Sequence, residues 1–260
     1  MNPKLQVALV QTSLVWENPL QNRINLTKKL NHLNPEVDVV ILPELFTSGF
    51  TMNPEAVAET MEGETLEWLK KQATDNDFAI TGSLVIRENN SFKNRMVFVK
   101  PDGSVTCYDK RHSFTLAGEH KVYTSGTDKV IVNYKGFNIC LQICYDLRFP
   151  VFSRYQNDYD VLVYVANWPK TRVEAWSALL KARAIENMSY CIGVNRVGLD
   201  ANNHEYSGHS AAYDGLGQII SAIEPNKEQN DVVLLDKTDL ETLRKKLNFL
   251  NDADQFTLHS

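Results

Sequence analysis

The chain has 260 residues, 43% hydrophobic and 23% charged, with a net charge of −5 at neutral pH. Such a chain can bury a large core without disulfides or structural metal, and its length allows one large α/β domain or two small ones. Its basic residues are scattered, which excludes the concentrated footprint that nucleic acid binding needs, and no apolar run approaches a membrane span.

In chain order, LQVALVQT (5–12) is short and rich in β-formers. It is expected to be a first strand and not a secretion signal, because Gln6 and Gln11 interrupt its apolar character. Residues 18–33 have the polar periodicity of a helix, and VDVVILPE (37–44) is a strand stopped by Pro43 and Glu44. GETLEWLKKQATDN (63–76), with acids early and lysines later, is a helix. FAITGSLVIREN and NRMVFVKPDGSV are strands, with a turn at Asp102-Gly103. From Cys107 to Thr127 the chain is irregular and too polar for core. VIVNYKGFNICLQIC is a hairpin turning at Lys135-Gly136, and DVLVYVANWP (160–169) is a buried strand. An amphipathic helix over 172–189 precedes a strand at 190–198, and DVVLLD (231–236) is a last strand before a charged helix. Without repeats or linkers, this order predicts one domain over 1–260. It is an α/β fold of layered mixed sheets flanked by helices.

The four cysteines, Cys107, Cys140, Cys144 and Cys191, form no disulfide framework, and reduced thiols suit a cytoplasmic protein. Cys140 and Cys144 share one strand, which separates them by roughly 13 Å. A shared zinc with bonds of about 2.3 Å is therefore excluded, and no metal site is expected. Three strand ends carry polar residues: Glu44 after VVIL, Cys144 after CLQI and Asn167 after VLVYVA. Ligands gather outside the carboxyl ends of strands in layered α/β proteins. The loop 107–127 adds Lys110 and Glu119. A cysteine here is open to three readings: a small buried residue, the partner of one of the histidines (His32, His112, His120, His204, His209, His259), or a nucleophile served by lysine and glutamate. In the last, Lys110 would lower the thiol pKa and Glu44 would shuttle protons.

LPELFTSGF (42–50), YDKRHSF with GE and YTSG after it (108–126), and ICYDLRFP (143–150) resemble, in the right order, the three catalytic blocks of the nitrilase superfamily of carbon–nitrogen hydrolases. The resemblance runs from Val7 to about Gly217. It implies a four-layer αββα sandwich, a Glu44–Lys110–Cys144 triad, a second glutamate at Glu119, and neither metal nor organic cofactor. The segments NWPKTRVEAWSALLKARAIENMSYCIGVNRVG and YSGHS are similar to the ω-amidase branch, which hydrolyses the terminal amide of 2-oxoglutaramate. Ser113 and Val151 depart from residues common elsewhere in the superfamily.

The resemblance further implies a small amide as substrate, the Tyr145 backbone N–H as an oxyanion donor, and a homodimer formed through helices near the site. Asp146 and Arg148 are expected to brace the turn after Cys144. Arg172 is a candidate for a substrate carboxylate and Phe50 and Trp168 for pocket walls, though a surface arginine and core aromatics would look the same. The helix 172–189 offers Trp176, Leu179, Leu180 and Ile185 to a partner subunit or to its own core. Amidases for deaminated glutathione share CYDLRFP, a carbamoyl amide is another alternative substrate, and a silent binding scaffold is the alternative from another class.

Overall fold

The structure, a computed structural model, describes residues 3–258; His259 lies outside them. The chain opens with β1 (Lys4–Gln11), α1 (Pro19–Leu30), β2 (Val39–Ile41) and α2 (Glu64–Asn76). It continues through β3 (Ala79–Glu88), β4 (Ser91–Val99), β5 (Val105–Asp109), β6 (Val130–Tyr134) and β7 (Phe137–Ile143). The short α3 (Pro150–Ser153), β8 (Val161–Ala166), α4 (Val173–Asn187) and β9 (Tyr190–Asn195) follow. Last come β10 (Val197–Leu199), β11 (Glu205–Ser207), β12 (Ala211–Tyr213), β13 (Gln229–Asp236) and α5 (Lys237–Leu247).

Two mixed sheets result. One has the order β13-β1-β2-β3-β4-β5, with β1, β2 and β3 parallel. The other runs β12-β9-β8-β7-β6, with β7, β8 and β9 parallel, and β10 and β11 pair separately. Alternation along the strands explains how the layers stack, because successive side chains point to opposite faces. Leu5, Val7 and Leu9 of β1 share a core with Phe137, Ile139 and Leu141 of the other sheet. Ala8 and Val10 instead join Leu26 and Leu30 of α1. β4 divides likewise: Met96 and Phe98 enter the core between the sheets, while Val97 and Val99 cluster with Leu66, Leu69 and Ala73 of α2. Each such side chain contributes about 1.5–3 kcal/mol on burial. Beyond the second sheet, α4 lies so close to β9 that a Cβ on Gly193 would come within 2.4 Å of Leu180 and 2.7 Å of Trp176. The layers are helix, sheet, sheet, helix, the four-layer αββα sandwich expected from the resemblance.

Most expected elements form, with trimmed ends. The strand expected over 37–44 is ordered only from Val39 to Ile41, because the chain leaves the sheet for the loop that carries Glu44. The stretch 107–127 departs further from expectation. Its first residues belong to β5, and Tyr108, Lys110 and Glu119 are buried. Much of the loop stays at the surface, but Lys110 and Glu119 turn inward because each is the other's counter-ion. The hairpin at Lys135-Gly136 turns through two left-handed residues, with φ of 44° and 81°, as its two-residue loop requires.

Candidate active site

The C-terminal ends of β2, β7 and β8 bring Glu44, Cys144 and Asn167 together. The Asn167 backbone N–H donates to Glu44 Oε2 at 2.8 Å, and its side-chain Nδ2 donates to the Glu44 carbonyl at 2.6 Å. Two residues beside the junction are left-handed without being glycine: Leu45 with φ of 44° and Cys144 with φ of 45°. That conformation costs an ordinary residue about 1–2 kcal/mol and persists only where neighbours enforce it. For Leu45, the Ser83 hydroxyl accepts the backbone N–H at 2.8 Å. For Cys144, fully buried Asp146 holds both sides of the turn. It accepts the Ile143 N–H at 2.9 Å and the Tyr108 hydroxyl at 2.7 Å on one oxygen. On the other it accepts the His112 N–H at 3.0 Å and meets His112 Nδ1 at 2.8 Å. The sequence expectation holds for Asp146. It fails for Arg148, which is exposed and lies 4.9 Å over the Trp168 ring instead of bracing the turn.

Lys110, next after β5, donates to Glu44 Oε1 at 2.8 Å and to the two Glu119 oxygens at 2.9 and 3.0 Å. Asn94 Nδ2 reaches Glu44 Oε1 at 2.9 Å and Glu119 Oε1 at 3.3 Å. Burial works against the Lys110 ammonium, but Glu119 and Glu44 outweigh it and hold its pKa above the ordinary lysine value. Burial pushes the Glu119 carboxyl up, with Lys110 opposing and Glu44 adding to the rise. The Cys144 thiol is held well above its usual value by burial first and by Glu44 second, and Lys110 offsets them only in part. Lys110 lowers that pKa, as expected, but does not set it. Its charge is spent on two carboxylates, so the resting group is a thiol, beside a carboxylate that can take its proton. Among the described residues no histidine ring bonds to Cys144; His112 serves Asp146 and His204 serves Asp200.

Lys110 and Cys144 lie at the buried end of a cavity of about 400 Å³. Phe50, Trp168 and Arg172 all line it, as does Tyr145. Tyr145 follows Cys144 in the 3-10 turn Cys144–Arg148, and the first N–H groups of such a turn have no partner inside it. Trp168 is fixed by its indole N–H, which donates to the Arg172 carbonyl at 2.8 Å. The Arg172 guanidinium stacks 5.2 Å over Phe114. Neither Arg172 nor Arg148, which also lines the cavity, has a carboxylate partner among the described residues. A further stretch of wall comes from the β10–β11 hairpin, where Asp200 accepts the Tyr206 hydroxyl at 3.0 Å and the His204 and Asn202 N–H groups at 2.9 and 2.8 Å. Burial works against the Asp200 charge, but these donors hold its pKa below the usual carboxylate range.

The structure thus gathers every site residue picked from the sequence around one cavity or directly behind it. Three contributors were missed or misjudged: Asn94, the Asp200–Tyr206 wall, and Arg148 as a cavity residue. Only Asn94 left a usable signal, a polar residue on β4 two and four places before the inward-facing Met96 and Phe98. Cys140 and Cys191 are buried in the core, and burial pushes the Cys140 thiol up to about 12.

Known proteins share this arrangement along nearly the whole chain. The carbon–nitrogen hydrolase family model matches residues 6–246. Omega-amidase YafV of Yersinia enterocolitica is 41% identical over 254 residues, 98% of each chain. The 2-oxoglutaramate amidase of Bacillus subtilis (strain 168) is 30% identical over 223 residues, 84% of this chain and 86% of that protein. Among solved structures, XC1258 from Xanthomonas campestris, a CN-hydrolase superfamily protein with an arsenic adduct in its active site, superposes with a TM-score of 0.94 at 41% identity, covering 98% of this chain and 99% of that one. With a cysteine at the turn after β7 and this coverage, the chain belongs to the carbon–nitrogen hydrolase family, hydrolases of carbon–nitrogen bonds other than peptide bonds.

Proposed function

We propose that the protein is a cytoplasmic ω-amidase that releases ammonia from the terminal amide of short oxo-dicarboxylic acid monoamides such as 2-oxoglutaramate. The observation that carries this reading is the cavity itself. A thiol beside a carboxylate–ammonium cluster lies at its buried end, and two guanidinium groups without acidic partners among the described residues lie on its walls. The names borne by the relatives agree with it.

In the proposed reaction Glu44 takes the Cys144 proton as the sulfur attacks the amide carbon. The oxyanion is held by Lys110 Nζ and the Tyr145 N–H. Collapse expels the amide nitrogen, which receives the proton from Glu44 and leaves as ammonia, and the acyl group remains on Cys144 as a thioester. Glu44 then takes a proton from water as that water attacks the thioester. The second collapse frees the acid and returns the proton to sulfur. Glu119 keeps Lys110 in place throughout.

The far end of such a substrate is a carboxylate, and a guanidinium fork fits it. Arg172 is assigned this contact, with Arg148 beside it; Phe50 and Trp168 are walls, and stacking on aromatic rings leaves both arginines' N–H edges free. The test is ammonia release from 2-oxoglutaramate, run beside succinamate, a neutral short amide, a simple nitrile and a carbamoyl amino acid. Turnover of the oxo-acid amide well above the others is expected, and preference for the nitrile or carbamoyl compound would overturn the assignment. Arg172→Ala should raise KM for the anionic amides by about 10- to 100-fold, the loss of one charge-assisted hydrogen bond, while the neutral amide stays near its original KM. Equal effects on both would remove Arg172 from the substrate site.

We also propose a single-domain protomer that pairs with a second copy. The α4 face expected to serve is mostly spent, however, because Trp176 and Leu180 are fully buried and Leu179 packs on the core. Ile185 remains exposed, as do Leu216 and Ile219 on the loop whose Gly217 lies against it. Light scattering on the purified protein should give twice the protomer mass, and Ile185→Glu should shift it toward the monomer.

A further inference from the structure

Asn94 lies on β4, on the same face as Met96 and Phe98, and is 2% exposed. Its Nδ2 places its two N–H bonds on two carboxylates, Glu44 Oε1 and Glu119 Oε1. Lys110 Nζ donates to the same two oxygens. These oxygens are therefore bridged twice, once by a cation and once by a neutral amide. Asn94 Oδ1, by contrast, is buried without a partner among the described residues. An unpartnered buried acceptor is destabilising, and a leucine of similar size would carry none. Turning the amide over would aim that oxygen at two carboxylates. The amide is held for what its nitrogen donates.

The consequence concerns where a proton goes. Glu44 faces Lys110, Glu119 and Cys144, with the Tyr123 hydroxyl nearby. Two carboxylates share one ammonium in a buried site, so one negative charge is in surplus and a proton would relieve it. A proton on Glu44 would leave the thiol without a base. Glu44 accepts from Lys110, Asn94 and the Asn167 backbone, and the Asn94 contact is shorter to Glu44 than to Glu119. Glu119 is equally well served, accepting from Lys110 on both oxygens and from the Phe114 N–H, so the loss of the Asn94 donor tips the charge away from Glu44.

We propose that Asn94 is a positioning residue for the Glu44 base: its amide holds Glu44 ionised and aimed at Cys144, and so sets the pH below which the enzyme fails. This rests on the role given to Glu44 above. Removing the donor raises the pH at which Glu44 takes a proton, so the acid limb of activity moves up. The test compares wild type with Asn94→Leu in two assays across pH 4–9: amide hydrolysis, and alkylation of Cys144 by iodoacetamide read by mass spectrometry. In Asn94→Leu the acid limb should rise by about one pH unit, so that kcat falls about tenfold at a pH on that limb, with KM within about threefold. The alkylation limb should move by the same amount. A limb that stays in place, or KM and kcat changing together with the folded fraction, overturns the proposal. Alkylation needs no substrate, so an inactive amidase with a shifted alkylation limb would sink the substrate reading and leave Asn94's role standing. If Asn94→Leu does not fold, Asn94→Ser keeps a single donor in a smaller side chain, and a smaller shift in the same direction is expected.

Discussion

Replacing Cys144 by alanine is expected to lower ammonia release from 2-oxoglutaramate by at least about 10⁴-fold, the scale seen when a covalent nucleophile is removed from an enzyme that otherwise stays intact. The loss follows from the proposed two-step path: without sulfur no thioester forms, and water must attack the amide unaided. Folding should survive, because the side chain is small and Asp146 fixes the turn through backbone and side-chain groups that the substitution leaves in place. Rapid acid quenching of the wild-type reaction should reveal the acyl group on the peptide that contains Cys144. Glu44→Gln should show neither turnover nor acyl peptide, since the thiol is protonated at rest and loses its base. Turnover by Cys144→Ala within tenfold of wild type would remove Cys144 from the mechanism.

The second large effect is expected from Lys110→Met, on stability as well as rate. Breaking a buried ion pair by removing one partner costs about 3–5 kcal/mol, and here one deletion strands two carboxylates that are almost wholly inaccessible. The loss should depend on pH in a definite direction. Burial already pushes the Glu119 carboxyl up, and without the ammonium it lies further above the unfolded value of about 4.3. An acid shifted that way destabilises the fold once the pH exceeds its unfolded pKa, and the full penalty is reached above its folded pKa. Urea unfolding should therefore find a large deficit at pH 8 that shrinks toward pH 5. A deficit that grows on acidification would contradict the account. Turnover should fall a further 10²–10³-fold, roughly the value of one oxyanion donor.

Much of this site was legible in the sequence because three strands announce their ends by a sudden change from apolar to polar residues. Glu44, Cys144 and Asn167 each follow such a break, and sheet geometry brings breaks of this kind to one edge. The loop 107–127 was harder. Each of its charges, taken singly, belongs in water, and only the mutual neutralisation of Lys110 with Glu44 and Glu119 makes their burial intelligible. Lys110 does lower the Cys144 thiol pKa as expected, but burial and Glu44 outweigh it, and neither effect has a signature in the sequence. The Asp200–Tyr206 wall left no local pattern, because that contact is made by a hairpin whose three-residue strands are too short to show a period.

The site also straddles the seam between the two sheets. Glu44, Lys110 and Glu119 arrive on the six-stranded sheet and the segments leaving it, whereas Cys144 and Asn167 arrive on the five-stranded one. The gap between acid and thiol is thus an alignment reading across the whole sandwich, as two scales of a vernier report displacement. Sliding one sheet over the other by a fraction of an ångström misaligns base and sulfur while every side chain of the site stays intact. Catalysis therefore imposes a tolerance on the shared core. Residues such as Phe98 and Phe137, which lie in that core and do not line the cavity, set the distance between the two sheets.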